Sequence, residues 1–373
     1  MSTQYLTIKK LTETVGGGIT PRMVRHYHQI GLLPEAIRSP SNYRLYNENH
    51  VQYLRHILAL KQQGFQLEHI HKLLENQLEP GADVTLINQL QQHYDSIIQQ
   101  LTRLRQTAYS LERLLGGDRS CQTVRAETIA QIKLLNAQGV KSLEDDFEQI
   151  DSLWKALDAS TLAHPETFAE SLTYLLPDLS GKSEIEVDLI SQLVLACGDV
   201  SLVHFLRISH SAIAAARSAL KSGCQIVGDI PAIAAALDIP RLAHLGCDID
   251  TLIDNPHITS VAEAEQEFWH GKPWQEKLLQ LKPGCIAIVG YAPSVLVSIC
   301  KAVKNSQLQP ALVIGMPIGF SHAPAAKRLL IDSSVPFITI SGTFGGGLLA
   351  ATALNAIAQS TIEKPDCHCY LNH

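Results

Sequence analysis

Cys367-His368-Cys369-Tyr370-Leu371-Asn372-His373 closes the chain with two thiols and two imidazoles in seven residues, the densest group of soft metal ligands it contains. Cys367 and Cys369 stand two apart and can direct both sulfurs to one ion. His368 points to the other side of an extended strand, so all three ligate together only where the backbone turns. Asp366, His373 or residues elsewhere can complete the shell. Thiolate and imidazole suit zinc, copper, cobalt or nickel, and raw affinity favours copper and zinc over cobalt, so ligand type alone does not choose the metal. The bland alternative is a frayed tail with incidental cysteines, although exposed free thiols are a liability. A second chemical cluster lies at the opposite end, between Arg22 and Tyr46, where Arg22, Arg25 and Arg44 stand among His26 and Tyr43. Guanidinium groups interleaved with aromatic rings suit a phosphate backbone and base edges.

The charge distribution agrees with that division. Residues 1–61 hold eight Lys and Arg against three Asp and Glu, a surplus of five in a chain of net charge −6, which leaves −11 for the remainder. A basic head on an acidic body can still steer onto DNA. With 373 residues, 46% of them hydrophobic and 18% charged, the chain is long enough for several globular domains. Met1 to Thr12 lacks the apolar core of a secretion signal, and no run of eighteen uncharged apolar residues suggests a membrane span. Cys197, Cys224, Cys247, Cys285 and Cys300 lie in mostly apolar surroundings and read as buried free thiols, which fits a cytoplasmic protein.

The elements that position these groups can be read in order. Leu6 to Thr14 suits a short helix broken by Gly16-Gly17-Gly18. Thr20 then stands as an N-cap with Pro21 at the first helical position, and Gly31 ends the unit. Arg38 to Tyr46 is turn-rich and suits a two-stranded wing, followed by helices over Val51–Gly64 and Leu67–Leu74. From Val84 through Ile87, Leu90, Tyr94, Ile97 or Ile98, Leu101, Leu104, Ala108, Leu111 and Leu115, apolar residues recur at helical spacing. A helix of about 30 residues reaches about 45 Å, too long to bury against a small head. Helical stretches over Glu127–Gln138 and Leu143–Leu157 follow. Beyond them, Ala-rich helices (Ser211–Lys221, Pro231–Leu237, Gly347–Gln359) alternate with apolar strands (Cys224–Val227, Cys285–Val289, Ala311–Ile314, Phe337–Ile340), the pattern of a parallel sheet covered on both faces.

Small residues gather after those strands: Gly290 to Ser294, Gly315 to Phe320, and Gly342 with Gly345-Gly346-Gly347. Open α/β sheets bind ligands at the carboxyl ends of their strands, so these loops are expected to rim one pocket. The alternative is that the glycines only permit tight turns. Neither G-x-G-x-x-G nor a phosphate-binding loop with its lysine is present, so no nucleotide cofactor is expected.

Two resemblances sharpen this reading. Thr20-Pro21-x-x-Val24-Arg25-His26-Tyr27-x-x-Ile30-Gly31-Leu32-Leu33, Tyr43-Arg44-Leu45-Tyr46 and Gly64-Phe65-x-Leu67-x-x-Ile70 resemble the MerR (mercury-resistance regulator) family over residues 5–115. The resemblance implies a homodimer joined by the long antiparallel helix and bound to double-stranded promoter DNA. There an effector distorts a long spacer until RNA polymerase can use both promoter elements. Thr20, Arg22, Arg25, His26, Tyr43 and Arg44 are the expected DNA-binding residues, His26 either stacking or packing. The glycine triplet departs from the family's usual turn.

Ala287 to Leu296, Pro310 to Phe320 and Val335 to Thr339 resemble precorrin-8X methylmutase over residues 162–360. This implies a homodimeric α/β domain with a tetrapyrrole pocket, for which Asp229, Tyr291, Ala292, Pro293, Ser294, Gly315, Pro317, Gly319, Thr343 and Phe344 are the candidates. The resemblance places the family's proton-donating histidine at Leu195, its asparagine at Tyr291, and an arginine at Ser260. A Gly-Arg-Lys-Gly-Gly run falls on Gly342 to Gly346. Leucine exchanges no proton, so general-acid help worth roughly 10²–10⁴-fold is lost. His204 and His210 lie near enough in sequence to be considered as substitutes.

The expected organisation is therefore multidomain. A helical winged helix-turn-helix head (1–83) leads to a dimerisation helix (84–115) and a helical connector (116–160). A parallel-sheet α/β methylmutase-like body (161–360) and a metal-binding tail (361–373) follow. That assembly is similar to cobalt-responsive activators of cobalt-efflux ATPase genes, which implies Co(II) as effector through Cys367, His368, Cys369 and His373. It also implies a corrinoid precursor, precorrin-8 or hydrobyrinic acid, as a candidate second ligand. Three alternatives remain open: a bifunctional enzyme-regulator, a regulator that senses only a tetrapyrrole, and a zinc or copper sensor.

Overall fold

The computed structural model describes residues 5–40, 42–75, 82–116, 122–138, 143–163, 165–270 and 273–367. They form two compact units, Met1–Leu111 and Glu112–His373.

In the first unit, α1 (Ile8–Val15) and α2 (Pro21–Gln29) flank the glycine triplet, whose three residues all adopt positive φ. Thr20 is extended at φ −111°, and its hydroxyl accepts the Met23 N–H at 3.3 Å, while Pro21 takes the first helical position. Gly31, at φ +73°, follows the helix end. A two-stranded wing pairs β1 (Ile37–Arg38) antiparallel with β2 (Arg44–Leu45). Next come α3 (Glu48–Gln62), capped by Asn47, and α4 (Leu67–Glu75). Leu11, Val24, Tyr27, Leu33, Tyr46, Leu54, Ile57 and Ile70 make the small core these elements share.

The long helix α5 (Ala82–Leu115) has 34 residues, about 51 Å at 1.5 Å per residue. Tyr94, Ile97, Ile98, Leu101, Leu104, Leu111 and Leu115 along it are all exposed, so these positions of the expected apolar seam are uncovered among the described residues. Val84 and Ile87, also assigned to that seam, carry side chains outside the described residues.

The second unit begins with the end of α5, then α6 (Gln122–Gln138) and α7 (Leu143–Thr161). Arg113 closes an ion pair with Asp158 and lies over the Trp154 ring at 4.6 Å, both on α7. The Ser171 hydroxyl of α8 (Phe168–Leu175) donates to the Gly116 carbonyl. The last turn of α5 is thus tied into the body.

The body continues through α9 (Glu184–Cys197), α10 (Leu202–Phe205), β3 (Leu206–Ile208), α11 (Ala212–Lys221) and β4 (Gln225–Gly228). Then come α12 (Pro231–Ala236), α13 (Ile239–His244), β5 (Asp248–Thr251), α14 (Val261–His270), α15 (Pro273–Leu279) and β6 (Ile286–Val289). It finishes with α16 (Pro293–Lys304), β7 (Leu312–Gly315), α17 (His322–Ile331), β8 (Phe337–Ile340) and α18 (Gly347–Glu363).

The six strands form one sheet in the order β3-β8-β7-β6-β4-β5. All neighbours are parallel except β3, which runs antiparallel to β8. Alternate residues supply two cores. Ile226, Ile286, Ile288, Leu312, Ile314, Ile338 and Ile340 pack beneath α9, α11 and α18. Val227, Ala287, Val289, Val313 and Phe337 pack beneath α14 to α17. The edge strands β3 and β5 went unpredicted, because one is three residues long and the other, Asp248-Ile249-Asp250-Thr251, is half charged. Lys364, just past α18, bridges Glu184 and Asp188 at the start of α9, so these two helices run antiparallel. No helix among the described residues is long and apolar enough to cross a membrane.

Candidate functional site

On α2 the helical period separates two jobs. Val24 and Tyr27 are buried, whereas Arg22, Arg25 and His26, spaced three and four apart, share the exposed face. The wing adds Tyr43, 73% exposed, and exposed Arg44. Its tip is held by Ser39, whose N–H donates to the Tyr43 carbonyl at 2.9 Å, and by Asn42 at φ +64°. Arg38, not chosen from sequence, donates to the Asn42 side chain at 2.7 Å and extends the cationic wing; its place on the first strand of a basic hairpin was the available signal. All six residues expected to bind DNA, Thr20 included, therefore belong to α2, its cap or the wing.

Behind that surface, the Tyr46 ring lies between His28 and His50, at 5.7 and 5.4 Å. Burial lowers the His28 pKa, and the positive charge of Arg44 and the neighbouring His50 add to that. These residues support the wing from within.

At the carboxyl edge of the sheet, the three small-residue loops interlock. Asp229, 0% exposed, follows β4. Its Oδ2 accepts the N–H groups of Gly290, Tyr291 and Ala292 at 3.1, 2.7 and 2.8 Å, and its Oδ1 accepts that of Ile230 at 2.9 Å. Burial lifts its pKa to about 6 against the pull of those donors. Gly347 packs on the same loop: a Cβ on Gly290 would lie 2.4 Å from the Gly347 Cα, and one on Gly347 would lie 2.2 Å from the Tyr291 ring. Gly346 donates to the Met316 carbonyl at 2.7 Å, and Gly319 to the Thr343 carbonyl at 3.4 Å. Pro293, Gly315 and Pro317 are buried. Ser294 is half-buried and gives its N–H and hydroxyl to Glu265, at 2.8 and 2.7 Å. Thr343 and Phe344 face solvent, as do Ile318 and Phe320, the last 94% exposed.

The structure thus brings the candidate pocket residues to one edge, where Gly290 and Gly345 are explained by close backbone and Gly315 and Gly347 by close side chains. Lys327 of α17 was missed by sequence reasoning, although it shares the spacing of buried Ala323, Ala326 and Leu330. Its ammonium donates to the carbonyls of Gly342 (3.1 Å) and Phe344 and so pins the third loop from beneath. Burial lowers its pKa to about 8.

Positions where the resemblance implied catalytic or cationic groups hold different chemistry. Leu195 is 41% exposed on α9. Ser260 caps α14, sharing Glu263 with Thr259. His204 and His210 are both exposed. His210 lines a cavity of about 300 Å³ with Lys182, Glu186 and Ser209, at the start of α9 and away from the glycine loops.

Of the ligands expected in the tail, Cys367 is described: it is half-buried, and its N–H donates to the Lys364 carbonyl at 3.2 Å. His368, Cys369 and His373 lie outside the described residues. Among the described residues no group of three or more His, Cys, Asp or Glu is placed to hold a metal ion. Cys247, Cys285 and Cys300 are buried as expected, while Cys197 and Cys224 are half-buried. Burial pushes the Cys224 thiol up to about 12 and those of Cys285 and Cys300 to about 11.

Comparison with known proteins divides the chain in the same way. The family model for precorrin-8X methylmutase matches residues 167–360, and that for MerR HTH family regulatory proteins matches residues 6–77. A precorrin-8X methylmutase of a Sinorhizobium species is 33% identical over 186 residues, covering 49% of this chain and 87% of its own. An HTH-type transcriptional regulator of Pseudomonas aeruginosa is 38% identical over 105 residues, covering 27% of this chain and 80% of its own. Among solved structures, precorrin-8X methyl mutase from Thermus thermophilus is 30% identical, with a TM-score of 0.45, over 53% of this chain and 96% of that one.

Proposed function

The chain belongs to the precorrin-8X methylmutase family through its body and carries a MerR-family DNA-binding head, and from that premise we propose that it is a Co(II)-responsive transcriptional activator whose body has ceased to be an enzyme. The observation that carries this reading is the pairing of an exposed Arg22-Arg25-His26 face with an enzyme-type sheet edge that has lost its imidazole. At that edge the loop framework is intact, while Leu195, Thr343 and Phe344 stand where the resemblance implies proton-transfer and cationic groups.

Promoter DNA is the partner of the head. Arg22 and Arg25 donate to base edges or phosphates, and Tyr43 and Arg44 hold the backbone beside them. A second copy of the chain covers the exposed seam of α5, since seven large apolar residues along one helix would otherwise stay in water. The gene controlled is one for cobalt efflux, and RNA polymerase uses the promoter once the dimer has distorted its long spacer. Metal at the tail biases the body, and the body reaches α5 through the Arg113–Asp158 and Ser171–Gly116 ties. Turning such a switch from mostly off to mostly on takes roughly 3–5 kcal/mol of differential metal affinity.

For a corrinoid precursor, the exposed rim offers Phe344, Thr343 and the half-buried Tyr291 ring, and Lys327 is already engaged with backbone carbonyls. That chemistry fits the apolar face of a macrocycle better than its carboxylates, and it supports binding without turnover.

Run-off transcription on the cognate promoter with full-length protein tests the reading. Co(II) should raise transcript. The variant combining Cys367→Ser with Cys369→Ser should keep promoter binding in a gel shift and lose the metal response. Full cobalt response from that variant sinks the metal assignment, and a stronger response to Zn(II) or Cu(I) transfers it to another metal. Incubation with precorrin-8 should leave its absorption spectrum unchanged; formation of hydrobyrinic acid at an enzyme's rate would restore the bifunctional reading.

A further inference from the structure

Two thiols stand together at the amino edge of the sheet, opposite the glycine loops. Cys224 and Cys247 immediately precede β4 and β5, which run parallel with Gln225 paired to Asp248. One step back in that register Cys224 stands beside Cys247, and both pack on the core shared by Ile226 and Ile249. Gly223 and Gly246 lead into them at φ +69° and +73°, with backbones so close that a Cβ on Gly223 would lie 2.8 Å from the Gly246 carbonyl oxygen. The two thiols are hydrogen-bonded to each other. Neighbouring strands lie about 4.8 Å apart, inside the range of roughly 4.4–6.8 Å that a disulfide spans between α-carbons.

One other sulfur, that of Cys285, lies near enough to Cys224 to act on it electrostatically. Cys285 belongs to the opposite core, with Ala287 and Val289, and the register of β4 with β6 sets it beside Gln225. Face and register therefore both select Cys247 as the partner of Cys224.

We infer that Cys224 and Cys247 are an oxidative modification site, converted into a reversible disulfide by a small-molecule disulfide such as oxidised glutathione. Cys224 is half-buried and Cys247 is 9% exposed, so Cys224 reacts first. It gives its proton to water, and its thiolate attacks the glutathione disulfide, forming a mixed disulfide and expelling one glutathione thiolate. Cys247 then loses its proton and attacks the Cys224 sulfur, forming the bridge and expelling the second. The two protons end on the two glutathione thiols, so two protein thiols are oxidised and one glutathione disulfide is reduced. The bridge closes a loop that carries β4, Asp229, α12 and α13, and it fixes the edge strand β5 to its neighbour. Oxidation thereby stiffens the segment from which Asp229 holds the first glycine loop.

The experiment treats the full-length protein with oxidised glutathione, alkylates the remaining thiols and digests with trypsin, which cuts between the two cysteines at Arg241. A linked peptide pair holding Cys224 and Cys247 should appear and vanish on reduction with dithiothreitol. Attack requires the thiolate, and burial with the adjoining Cys247 sulfur pushes the Cys224 thiol up to about 12. Bridge formation should therefore quicken about tenfold per pH unit from pH 7 to pH 9, where an ordinary thiol levels off at about pH 8.5. The bridged body should melt about 5 °C or more above the reduced one. Cys285→Ser should still form the bridge, whereas Cys224→Ser and Cys247→Ser should not. Circular dichroism verifies the fold of each variant, and the peptide map of the unaltered protein decides the matter if a variant misfolds. Free thiols at both positions after treatment at pH 9, or a bridge from either to Cys285 or Cys367, would overturn the assignment.

Discussion

Head and body place their candidate functional residues in opposite relations to their cores. In the head, Arg22, Arg25, Tyr43 and Arg44 stand outside a small core and contribute nothing to its packing. In the body, Asp229, Gly290, Gly315, Gly347 and Lys327 are the packing: carboxylate, ammonium and backbone hold the three loops in one arrangement. A change in the head therefore tests binding, whereas most changes at the body's loops test folding first. Function in the body is better probed at Leu195, Thr343 and Phe344, which are exposed.

Four measurements can break or sharpen that contrast. The largest effect is expected from Asp229→Ala, which strands four backbone N–H groups, three of them buried. At about 1–3 kcal/mol for each unsatisfied donor, the body should lose more than about 4 kcal/mol in denaturant unfolding. A loss below about 1 kcal/mol would mean that the clasp is dispensable. Gly290→Ala comes next, because its Cβ meets the Gly347 backbone and no side chain can yield. Overpacking of this kind costs about 1–3 kcal/mol, visible as a lower melting temperature of the body with the head unaffected.

Arg25→Ala should lower promoter affinity by about 1–3 kcal/mol and change head stability by less than about 0.5 kcal/mol. Equal losses in both would place Arg25 in the fold. Acidification gives the smallest effect, and it has opposite signs in the two regions. The His28 pKa is lowered in the folded head by burial, Arg44 and His50, so folding favours the neutral ring and stability falls as pH drops through its ordinary range near 6.5. Asp229 is raised from 3.8 to about 6, so the folded body takes up a proton before the unfolded chain does and gains stability as pH falls through 6. That gain is on the order of 1 kcal/mol between pH 7 and pH 5. Glu186 and Asp254, whose pKa values are lowered, oppose it only below about pH 4.5. Calorimetry of the full chain should show the two transitions moving apart in that sense, and Asp229→Asn should flatten the body's response.

How much of this was legible from sequence depended on whether the signal was local. The Thr20-Pro21 cap, the glycine break, the wing and the 34-residue helix are written in neighbouring residues, and each lies where its pattern put it. The four apolar strands also declared themselves, to within a residue. β3 and β5 did not, because an edge strand needs only one neighbour and can be short or charged. At the loops, the glycines were visible but their reason was not. Gly290 and Gly347 are 57 positions apart in the chain, and only the fold reveals that Gly290 leaves room for the Gly347 backbone and Gly347 for the Tyr291 ring. Asp229 could be chosen as a pocket residue, yet nothing local shows a carboxylate turned wholly onto backbone. The pairing of Cys224 with Cys247 likewise depends on the register of two strands.

The two edges of the body's sheet bear on how the protein survives at high concentration. A strand with an unpaired side invites the same strand of another molecule, and repeated pairing of that kind ends in aggregate. β3 offers only three residues, with Arg207 at its centre. β5 carries Asp248 and Asp250, each with a lysine beside it, Lys282 at 3.7 Å and Lys277 at 2.8 Å. An incoming copy would have to set like charges against one another and strip water from ion pairs. A strand too polar to announce itself in the sequence thus doubles as a guard, keeping a six-stranded sheet soluble on a chain whose long helix still advertises an apolar seam.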